Sequence, residues 1–298
     1  MDQVLTVIGD PASRPLSPEL GEAARRALRE SGARVGAVDW LAPGVACDIP
    51  FAGVPAAAAR DAAGPALAGA PLDLAVQPSA GRRKALLVAD MESTIIAQEM
   101  IDELAERFGL GARVAAITAR TMAGELAFET ALATRVSLLA GLPAAAIDEV
   151  AARMTLNAGA RALVATMRAH GAYTALVSGG FTVFSARVRA ACGFDEDRAN
   201  HLLVESGALT GRVAEPILGR EAKLEALEDI ARARGLGLGE ALAVGDGAND
   251  AVMLARAGLG VGYRPKAPAR AVADVSIDHG DLTALLYLQG YRAAEFVG

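Results

Sequence analysis

The first residue suited to chemistry is Asp90, which directly follows an apolar run at residues 85–89. An uninterrupted apolar run of this kind predicts a strand that is buried in a parallel sheet. Ligands of open α/β sheets bind just beyond the carboxyl ends of the strands, which is where Asp90 would lie. A carboxylate in that place can attack phosphorus and carry the phosphoryl group as an aspartyl-phosphate. Considered alone, Asp90 could equally well cap the helix that follows.

A second acidic cluster, Asp246 and Asp250, follows another apolar run at residues 241–244. If the two strands are neighbours, these carboxylates and Asp90 crowd negative charge at one edge of the sheet. Such crowding is unfavourable unless a cation lies among the oxygens. Ligation by oxygen alone suits Mg²⁺, which keeps several waters and also contacts substrate phosphate. The acids therefore predict a Mg²⁺ site.

Two further features suit the binding of a phosphoryl group. Ser178 is followed by Gly179 and Gly180 at the end of a third apolar run, and their N–H groups at a helix start would form an anion cradle. Lys223 or Lys266 would supply the fixed positive charge that phosphoryl transfer needs. Each feature also has a simpler explanation, because such glycine turns are common between strand and helix, and Lys223 could be a solvated helix lysine.

The composition restricts the classes of protein to which the chain can belong. Its 298 residues carry a net charge of −6 that is spread along the chain, which argues against nucleic acid as a partner. No apolar run is long enough to span a membrane. The histidines lie outside the acidic clusters, so we expect no histidine triad and no zinc site. Cys47 and Cys192 form no motif and no signal peptide precedes them, which favours a cytoplasmic location.

The periodic segments predict two domains that are joined near residues 78–81. Residues 1–80 show the order β-α-β-β-α-β, which is typical of a small ferredoxin-like α+β domain with a packing, dimerisation or regulatory role. Residues 81–298 alternate buried strands with helices and predict a doubly wound parallel α/β sheet. A helical block at about residues 97–157 interrupts this alternation, and we expect it to be an insertion over the end of the first strand.

Together these motifs resemble those of the haloacid-dehalogenase superfamily of phosphotransferases. The superfamily signals are Asp90 with Ser93 and Thr94, the turn at Ser178, a downstream lysine, and the run 245–250. A narrower resemblance, to the phosphoserine phosphatase family, covers about residues 82–290. The segments that carry it are residues 99–105, 117–124, 128–139, 176–181 and 211–223. The first 80 residues resemble, more weakly, the regulatory-type domain that bacterial members often carry.

The resemblance implies a Mg²⁺-dependent mechanism with an aspartyl-phosphate intermediate. Asp90 would be the nucleophile, and it would bind the metal together with Asp246 and the backbone carbonyl of Glu92. Asp250 would support the metal from the outer coordination sphere. The reaction would be hydrolysis of O-phospho-L-serine to L-serine and phosphate, the last step of serine biosynthesis.

The resemblance also assigns the groups that would hold the substrate. Ser178, the backbone of Gly179 and Lys223 would hold the phosphate, and the family pattern favours Lys223 over Lys266. Glu99 would pair with the substrate ammonium. Arg135 would clamp the substrate carboxylate, because a guanidinium is well suited to bidentate pairing.

Three more residues would complete the pocket that the resemblance implies. Met122 and Phe128 would form its walls and keep water away, and Asn249 would lie near the phosphate. The helical insertion would be the cap that closes over phosphoserine. A related phosphatase acting on phosphothreonine or a homoserine phosphate is the alternative within the enzyme class.

Glu92 departs from the family pattern, which usually has Asp at this position. The residue is expected to protonate the leaving serine oxygen and then to activate the hydrolytic water. The extra methylene of Glu moves the carboxyl by roughly a bond length, and a misplacement on that scale can cost about 10²-fold in rate. The outcomes left open are a working enzyme with an adjusted backbone, a slow enzyme that accumulates phospho-enzyme, or a binding protein without turnover. We favour the first, because the other pocket residues are in place.

Overall fold

The computed structural model of the protein describes residues 1–122 and 125–298, with every side chain in these ranges except that of Met122. A six-stranded sheet, a five-stranded sheet and a two-stranded hairpin organise this part of the chain. The strands are β1 (Gln3–Gly9), β2 (Arg34–Val35), β3 (Asp39–Ala42), β4 (Ala46–Ala52), β5 (Leu72–Pro78), β6 (Leu86–Ala89), β7 (Tyr173–Phe181), β8 (Glu196–Asn200), β9 (Leu202–Glu205), β10 (Ala208–Val213), β11 (Ala241–Gly245), β12 (Leu259–Tyr263) and β13 (Val275–Ile277). The helices are α1 (Pro18–Glu30), α2 (Ala56–Leu67), α3 (Met100–Arg107), α4 (Gly111–Met122), α5 (Phe128–Ser137), α6 (Ala145–Ala151), α7 (Ala160–Ala169), α8 (Thr182–Cys192), α9 (Arg220–Ala233), α10 (Ala251–Arg256), α11 (Ala267–Arg270) and α12 (Ala284–Leu288).

The six-stranded sheet is parallel, in the order β13-β12-β11-β6-β7-β8. Successive side chains of a strand point to opposite faces. Leu86 and Val88 accordingly pack with residues of α9 and α10, whereas Leu87 and Ala89 pack with residues of α7, α8 and α12. Helices therefore cover both faces, and the predicted doubly wound α/β fold is confirmed. Because β6, β7 and β11 are adjacent, the polar groups that follow them meet at one edge.

The edge strand β8 is an element that the sequence does not predict. It contains Glu196, Asp197 and Arg198, so its residues lack the apolar alternation of a buried strand. Its acids are bound by neighbouring side chains instead, since Tyr173 Oη donates to Glu196 at 2.8 Å and Ser185 Oγ donates to Asp197 at 2.5 Å. A charged strand is well tolerated at a sheet edge, where charge also opposes pairing with another chain.

The five-stranded sheet is antiparallel, in the order β2-β4-β1-β5 with β3 beside β4. Helices α1 and α2 pack on one of its faces. A single strand is predicted over residues 34–40, but the structure has two shorter strands there, β2 and β3, each paired with β4. The other elements follow the predicted order, and the ferredoxin-like assignment stays a prediction.

A partly buried arginine joins this antiparallel sheet to the rest of the chain. Arg82 donates to Asp48 Oδ1 at 3.1 Å and to Thr6 Oγ1 at 3.1 Å, both on the face opposite α1 and α2. The same side chain donates to the carbonyl oxygens of Tyr287 at 3.0 Å and Leu288 at 2.9 Å. The connection after β5 is thus bonded both to the antiparallel sheet and to the end of α12.

Helices α3 to α6 form the insertion between β6 and β7. The first of them begins at Met100 rather than at the predicted residue 97, because the backbone is still extended at Ile96 and Glu99. The hairpin β9–β10 also packs on the insertion, since the Gly141 N–H donates to the Leu209 carbonyl at 2.8 Å. The sequence predicts the hairpin but not this association. Within the described ranges, none of the helices has the length and apolar character needed to cross a membrane.

Candidate active site

Three carboxylates meet at the carboxyl edge of the parallel sheet. Asp90 follows β6 and Asp246 follows the adjacent strand β11. With Asp250 they form a group in which one oxygen from each residue lies within 4.8 Å of the others. All three residues are buried. Like charges at this separation in a buried place need positive charge among them, as the sequence predicts.

Lys223 provides part of that positive charge. Its side chain is fully buried, and Nζ lies 2.6 Å from Asp90 Oδ1 and 2.6 Å from Asp250 Oδ1. Burial alone would lower the pKa of Lys223, but the carboxylates of Asp250 and Asp90 outweigh burial and raise it. The lysine is therefore held in its charged form. Of the two candidate lysines, Lys223 is the one in contact with the expected nucleophile.

Asp250 is bound by protein donors through both of its oxygens. Oδ1 accepts a hydrogen bond from Lys223, and Oδ2 accepts the N–H groups of Asp246 at 3.2 Å and Gly247 at 3.0 Å. These bonds fix the loop after β11. They also favour an outer-sphere position for Asp250, which leaves Asp90 and Asp246 as the carboxylates best placed to contact a metal.

The environment of Asp90 and Asp246 suits a divalent cation. Burial raises the pKa of Asp90, the negative charge of Asp250 raises it further, and Lys223 only partly opposes these effects. Burial also raises the pKa of Asp246, although its contact with Lys266 lowers it. A cation with a strong preference for oxygen would stabilise both charged forms. The donor set therefore fits Mg²⁺.

Lys266, the second candidate lysine, approaches the cluster from another side. Its Nζ lies 2.9 Å from Asp246 Oδ2 and 3.8 Å from Glu99 Oε1, and half of its side chain (50%) is exposed. Its backbone N–H donates to the carbonyl oxygen of Asp246 at 2.8 Å. Lys266 is thus bound to Asp246 through both its side chain and its backbone.

Glu92 lies in the non-helical turn Met91–Ile95, where its backbone is extended (φ −72°, ψ 140°) and Ser93 adopts a left-handed conformation (φ 55°). This turn directs the Glu92 carboxylate to the start of α3, where Oε1 accepts the N–H of Met100 at 2.8 Å. The other oxygen faces β7, because a Cβ built on Gly180 would lie 2.8 Å from Oε2. The longer side chain of Glu therefore has a defined position between a helix start and the strand.

Ser178 is buried, and its Oγ accepts the N–H of Gly180 at 2.9 Å. The prediction that Ser178 and its glycines lie at a helix start is wrong. Strand β7 continues to Phe181, which pairs with Asn200 of β8, and α8 begins only at Thr182.

Asn200 is a buried polar residue that the sequence analysis did not single out. Its Nδ2 donates to the carbonyl oxygens of Gly179 at 2.8 Å and Leu218 at 3.2 Å, and its Oδ1 accepts the Leu218 N–H at 2.7 Å. Asn200 thereby links the glycine segment of β7 to the segment that precedes Lys223. No motif surrounds this residue, so the sequence alone contains no signal that would have found it.

Glu99 and Arg135 provide the opposite charges expected for recognition of a zwitterion. Glu99 precedes α3, and its Oε1 accepts a hydrogen bond from Ser93 Oγ at 2.8 Å. Burial raises the pKa of Glu99. Arg135 is half-buried on α5, and its Nε donates to the Ala131 carbonyl at 3.4 Å. Its positive charge partly offsets the burial that raises the pKa of Asp102 on α3.

Of the three remaining predicted pocket residues, the structure describes the side chains of Phe128 and Asn249. The ring of Phe128 lies over Gly179, since a Cβ built on that glycine would lie 3.0 Å from ring atom Cζ. The Asn249 amide lies over Gly247 in the same way, with Oδ1 2.6 Å from the position of a Cβ there. The side chain of Met122 falls outside the described part of the chain. Its assignment to the pocket wall stays a prediction.

Comparison with known proteins shows which family has this arrangement. A family model described as haloacid dehalogenase-like hydrolase matches residues 87–255, which extend from β6 to α10. The match includes the acids Asp90, Asp246 and Asp250 and the buried Lys223. The chain belongs to the haloacid dehalogenase-like hydrolases. The superfamily resemblance that the motifs indicated is therefore confirmed.

Individual relatives show to which family of these hydrolases the chain belongs. The phosphoserine phosphatase of Streptococcus thermophilus is 43% identical over 199 residues, which cover 67% of this chain and 93% of the relative. The phosphoserine phosphatase of Archaeoglobus fulgidus is 42% identical over 216 residues, and the match spans 72% of this chain but only 63% of that longer protein. Within the haloacid dehalogenase-like hydrolases, the chain is a member of the phosphoserine phosphatase family.

A solved structure extends the similarity to the antiparallel sheet of this hydrolase. The probable phosphoserine phosphatase from Vibrio cholerae, in its unliganded form, has a TM-score of 0.79 at 30% identity. The superposition covers 99% of this chain and 88% of the other. The two chains therefore share the antiparallel unit as well as the parallel sheet.

Proposed function

We propose that the protein hydrolyses O-phospho-L-serine to L-serine and phosphate, the last step of serine biosynthesis. The observation that carries the proposal is the contact of Asp90 with buried Lys223 beside Asp246. Glu99 and Arg135, which belong to the insertion, are oppositely charged neighbours of Glu92. A carboxylate nucleophile next to fixed positive charge suits phosphoryl transfer. The oppositely charged pair suits a small zwitterionic substrate. The family relationship supports the same reaction.

The metal in this proposal is Mg²⁺. Asp90, Asp246 and the backbone carbonyl of Glu92 would hold it, and Asp250 would act from the outer coordination sphere. When bound, Mg²⁺ would align the phosphoryl oxygens and reduce the repulsion between the nucleophile and its negatively charged target. The all-oxygen donor set supports this choice.

The chain's own residues would perform two linked displacements at phosphorus. An Asp90 oxygen attacks phosphorus, the bond from phosphorus to the serine oxygen breaks, and Glu92 donates its proton to that oxygen. A water then attacks the aspartyl-phosphate while Glu92 takes the water's proton, which regenerates Asp90 and releases phosphate. Lys223, Ser178 and the Gly179 N–H would hold the phosphoryl oxygens during both steps.

Recognition of serine would come from the helical insertion. Glu99 would bind the substrate ammonium and Arg135 its carboxylate, while Phe128 and Met122 would exclude water and Asn249 would lie near the phosphate.

We divide the chain accordingly into residues 1–80 and a catalytic domain of residues 81–298. The cap of that domain would be the insertion at about residues 97–157. A cytoplasmic location and assembly into homodimers stay predictions from the sequence.

The pH dependence of the reaction should report the proton held by Glu92. Burial raises the pKa of Glu92 to about 8, and the negative charge of Glu99 adds to the shift. The acid form needed for donation therefore prevails below about pH 8 and is lost above it. We expect kcat/KM to fall as the pH rises through this range. Glu92→Gln should lower kcat by about 10²- to 10⁴-fold and abolish this pH dependence.

The measurement is a pair of pH–rate profiles based on phosphate release from phosphoserine at saturating Mg²⁺. Thermal unfolding at each pH serves as the control that both proteins stay folded. If kcat/KM declines with pH in the same way in Glu92→Gln, another group titrates in this range. Glu92 is then not the general acid.

Replacement of Arg135 by alanine should test the substrate. We expect kcat/KM for phosphoserine to fall by about 10- to 100-fold, the effect of losing charge-assisted hydrogen bonds to its carboxylate. Hydrolysis of phosphoethanolamine, which has no carboxylate, should not change. Arg113→Ala, an exposed arginine on α4 of the same insertion, is the matched control and should leave both activities intact.

A panel of phosphomonoesters assayed by phosphate release completes this test. A wild-type preference for sugar phosphates would contradict phosphoserine as the substrate while leaving the phosphatase class in place. Equal losses on phosphoserine and phosphoethanolamine in Arg135→Ala would mean that the arginine supports the fold rather than the substrate carboxylate.

A further inference from the structure

We propose that the N-terminal antiparallel sheet positions Lys266 at the metal site, through a continuous set of contacts that begins at Asp73. Lys266 in turn would orient the carboxylate of Asp246. The proposal rests on the proposed metal site, but it does not depend on which phosphomonoester is hydrolysed. It gives the N-terminal sheet a role in catalysis without any contact with the substrate.

The first link is a buried acid that crosses from one sheet to the other. Asp73 lies on β5, and its Oδ1 accepts the N–H of Asp278 at 2.9 Å. Its Oδ2 accepts the N–H groups of His279 at 3.1 Å and Gly280 at 2.7 Å. Hydrogen bonds from consecutive N–H groups to one carboxylate are stronger than bonds between neutral groups. They fix the connection between β13 and α12 against the antiparallel sheet.

The second link is a bidentate ion pair within the larger unit. Arg270 Nη2 lies 2.6 Å from Asp278 Oδ1, and Nη1 lies 2.8 Å from Asp278 Oδ2. The planar guanidinium pairs with both oxygens at once, which fixes orientation as well as distance. Arg270 Nη2 also donates to the Pro265 carbonyl at 3.3 Å. The pair therefore holds both ends of α11, because Pro265 precedes this helix and Arg270 ends it.

The third link reaches the metal site itself. Lys266 lies between Pro265 and α11. Its Nζ lies 2.9 Å from Asp246 Oδ2, and its backbone N–H donates to the Asp246 carbonyl. With Oδ2 bound in this way, the other oxygen of Asp246 is the one available to a metal shared with Asp90. Groups that orient a metal ligand typically change metal affinity by about 10- to 100-fold. The lysine charge also repels a nearby cation, which opposes the gain from orientation.

The test is a double-mutant cycle read by calorimetric titration of the full-length protein with Mg²⁺ in the absence of substrate. We expect Lys266→Ala to weaken Mg²⁺ binding by about 10- to 100-fold. Asp278→Asn and Asp73→Asn should each weaken it by about 3- to 10-fold, since each only loosens the lysine. The double variant Asp278→Asn with Lys266→Ala should bind Mg²⁺ no more weakly than Lys266→Ala alone. The reason is that Lys266→Ala already removes the contact through which Asp278 acts.

A matched control distinguishes this route from general attachment of the two sheets. Asp39 also forms an ion pair between the two units, in which Arg292 Nη2 donates to both Asp39 oxygens at 2.7 and 2.9 Å, but that pair does not lead to Lys266. Asp39→Asn should therefore leave Mg²⁺ affinity unchanged. If Asp73→Asn does not fold, Asp278→Asn carries the test, because its side chain is 40% exposed and tolerates substitution better.

Three results would overturn the proposal. They are multiplicative effects in the double mutant, wild-type Mg²⁺ affinity in Asp278→Asn or in a folded Asp73→Asn protein, and an equal loss in Asp39→Asn. Because the titration needs no substrate, it stays informative even if phosphoserine proves not to be hydrolysed. Failure of the proposed function and failure of this proposal are therefore distinguishable.

Discussion

Asp90→Asn should abolish turnover, with kcat reduced by about 10⁴-fold or more, because an amide cannot accept the phosphoryl group as a carboxylate does. The fold should survive the change. Asn keeps the shape of the side chain, and it removes one negative charge from a buried cluster in which burial and Asp250 already raise the pKa of Asp90. The measurement is phosphate release at saturating phosphoserine and Mg²⁺, together with the denaturant midpoint of unfolding.

Asp61→Asn on α2 is a suitable control, because this exposed acid lies on the antiparallel unit away from the site. It should retain wild-type turnover. An Asp90→Asn protein that is folded and keeps more than about a hundredth of wild-type kcat would show that another group attacks phosphorus, since loss of a nucleophile costs far more than that.

Lys223→Met should damage both stability and activity. The substitution leaves the carboxylates of Asp90 and Asp250 in a buried place without the ammonium that lies 2.6 Å from each. Removing one partner of a buried ion pair typically destabilises a protein by about 3–5 kcal/mol. Loss of the charge that holds the phosphoryl group should also lower kcat by about 10³-fold or more. Urea unfolding and phosphate release measure the two effects.

A double variant separates the two roles of this lysine. Lys223→Met with Asp250→Asn removes one of the two carboxylates left unpaired, so it should recover part of the lost stability while activity stays low. Lys84→Met, which removes a surface ammonium bonded to the Gly239 carbonyl, should change neither quantity appreciably. A Lys223→Met protein as stable as the wild type would contradict the buried pairing.

The parts of the site that the sequence predicted are those in which a reactive side chain comes directly after a strand. Asp90 and Asp246 each come after an apolar run, and runs of this kind pack side by side in a parallel sheet. Their meeting at one edge then follows from the pairing of β6 with β11. Glu99, Arg135 and the choice of phosphoserine came from the family resemblance, because spacing alone does not state what a charged helix residue will face.

The parts that the sequence did not predict depend on contacts between distant segments. The family pattern favours Lys223 over Lys266, but its full burial depends on how α9 packs against the sheet. Asn200 lies on a charged edge strand that has no apolar periodicity. Asp73 bonds to residues more than two hundred positions later in the chain, at a separation of 205 for Asp278. Local sequence patterns do not indicate such contacts between distant residues.

Glu92 shows how a local departure from a family pattern can be absorbed by the surrounding backbone. The family resemblance suggested that the longer side chain could misplace the acid. The structure gives its carboxylate a hydrogen bond from the Met100 N–H at 2.8 Å and a position against Gly180. A carboxyl fixed in this way can still exchange a proton with the leaving group and with water. This favours a working enzyme over a protein that only binds.

Mass spectrometry of the acid-quenched protein, taken during turnover of phosphoserine with Mg²⁺, would identify the residue that carries the phosphoryl group. We predict one phosphoryl group on the peptide that contains Asp90, formed within a single turnover and absent from the Asp90→Asn variant. Release of phosphate without this modification, or with the modification on a different residue, would contradict the mechanism proposed for this site.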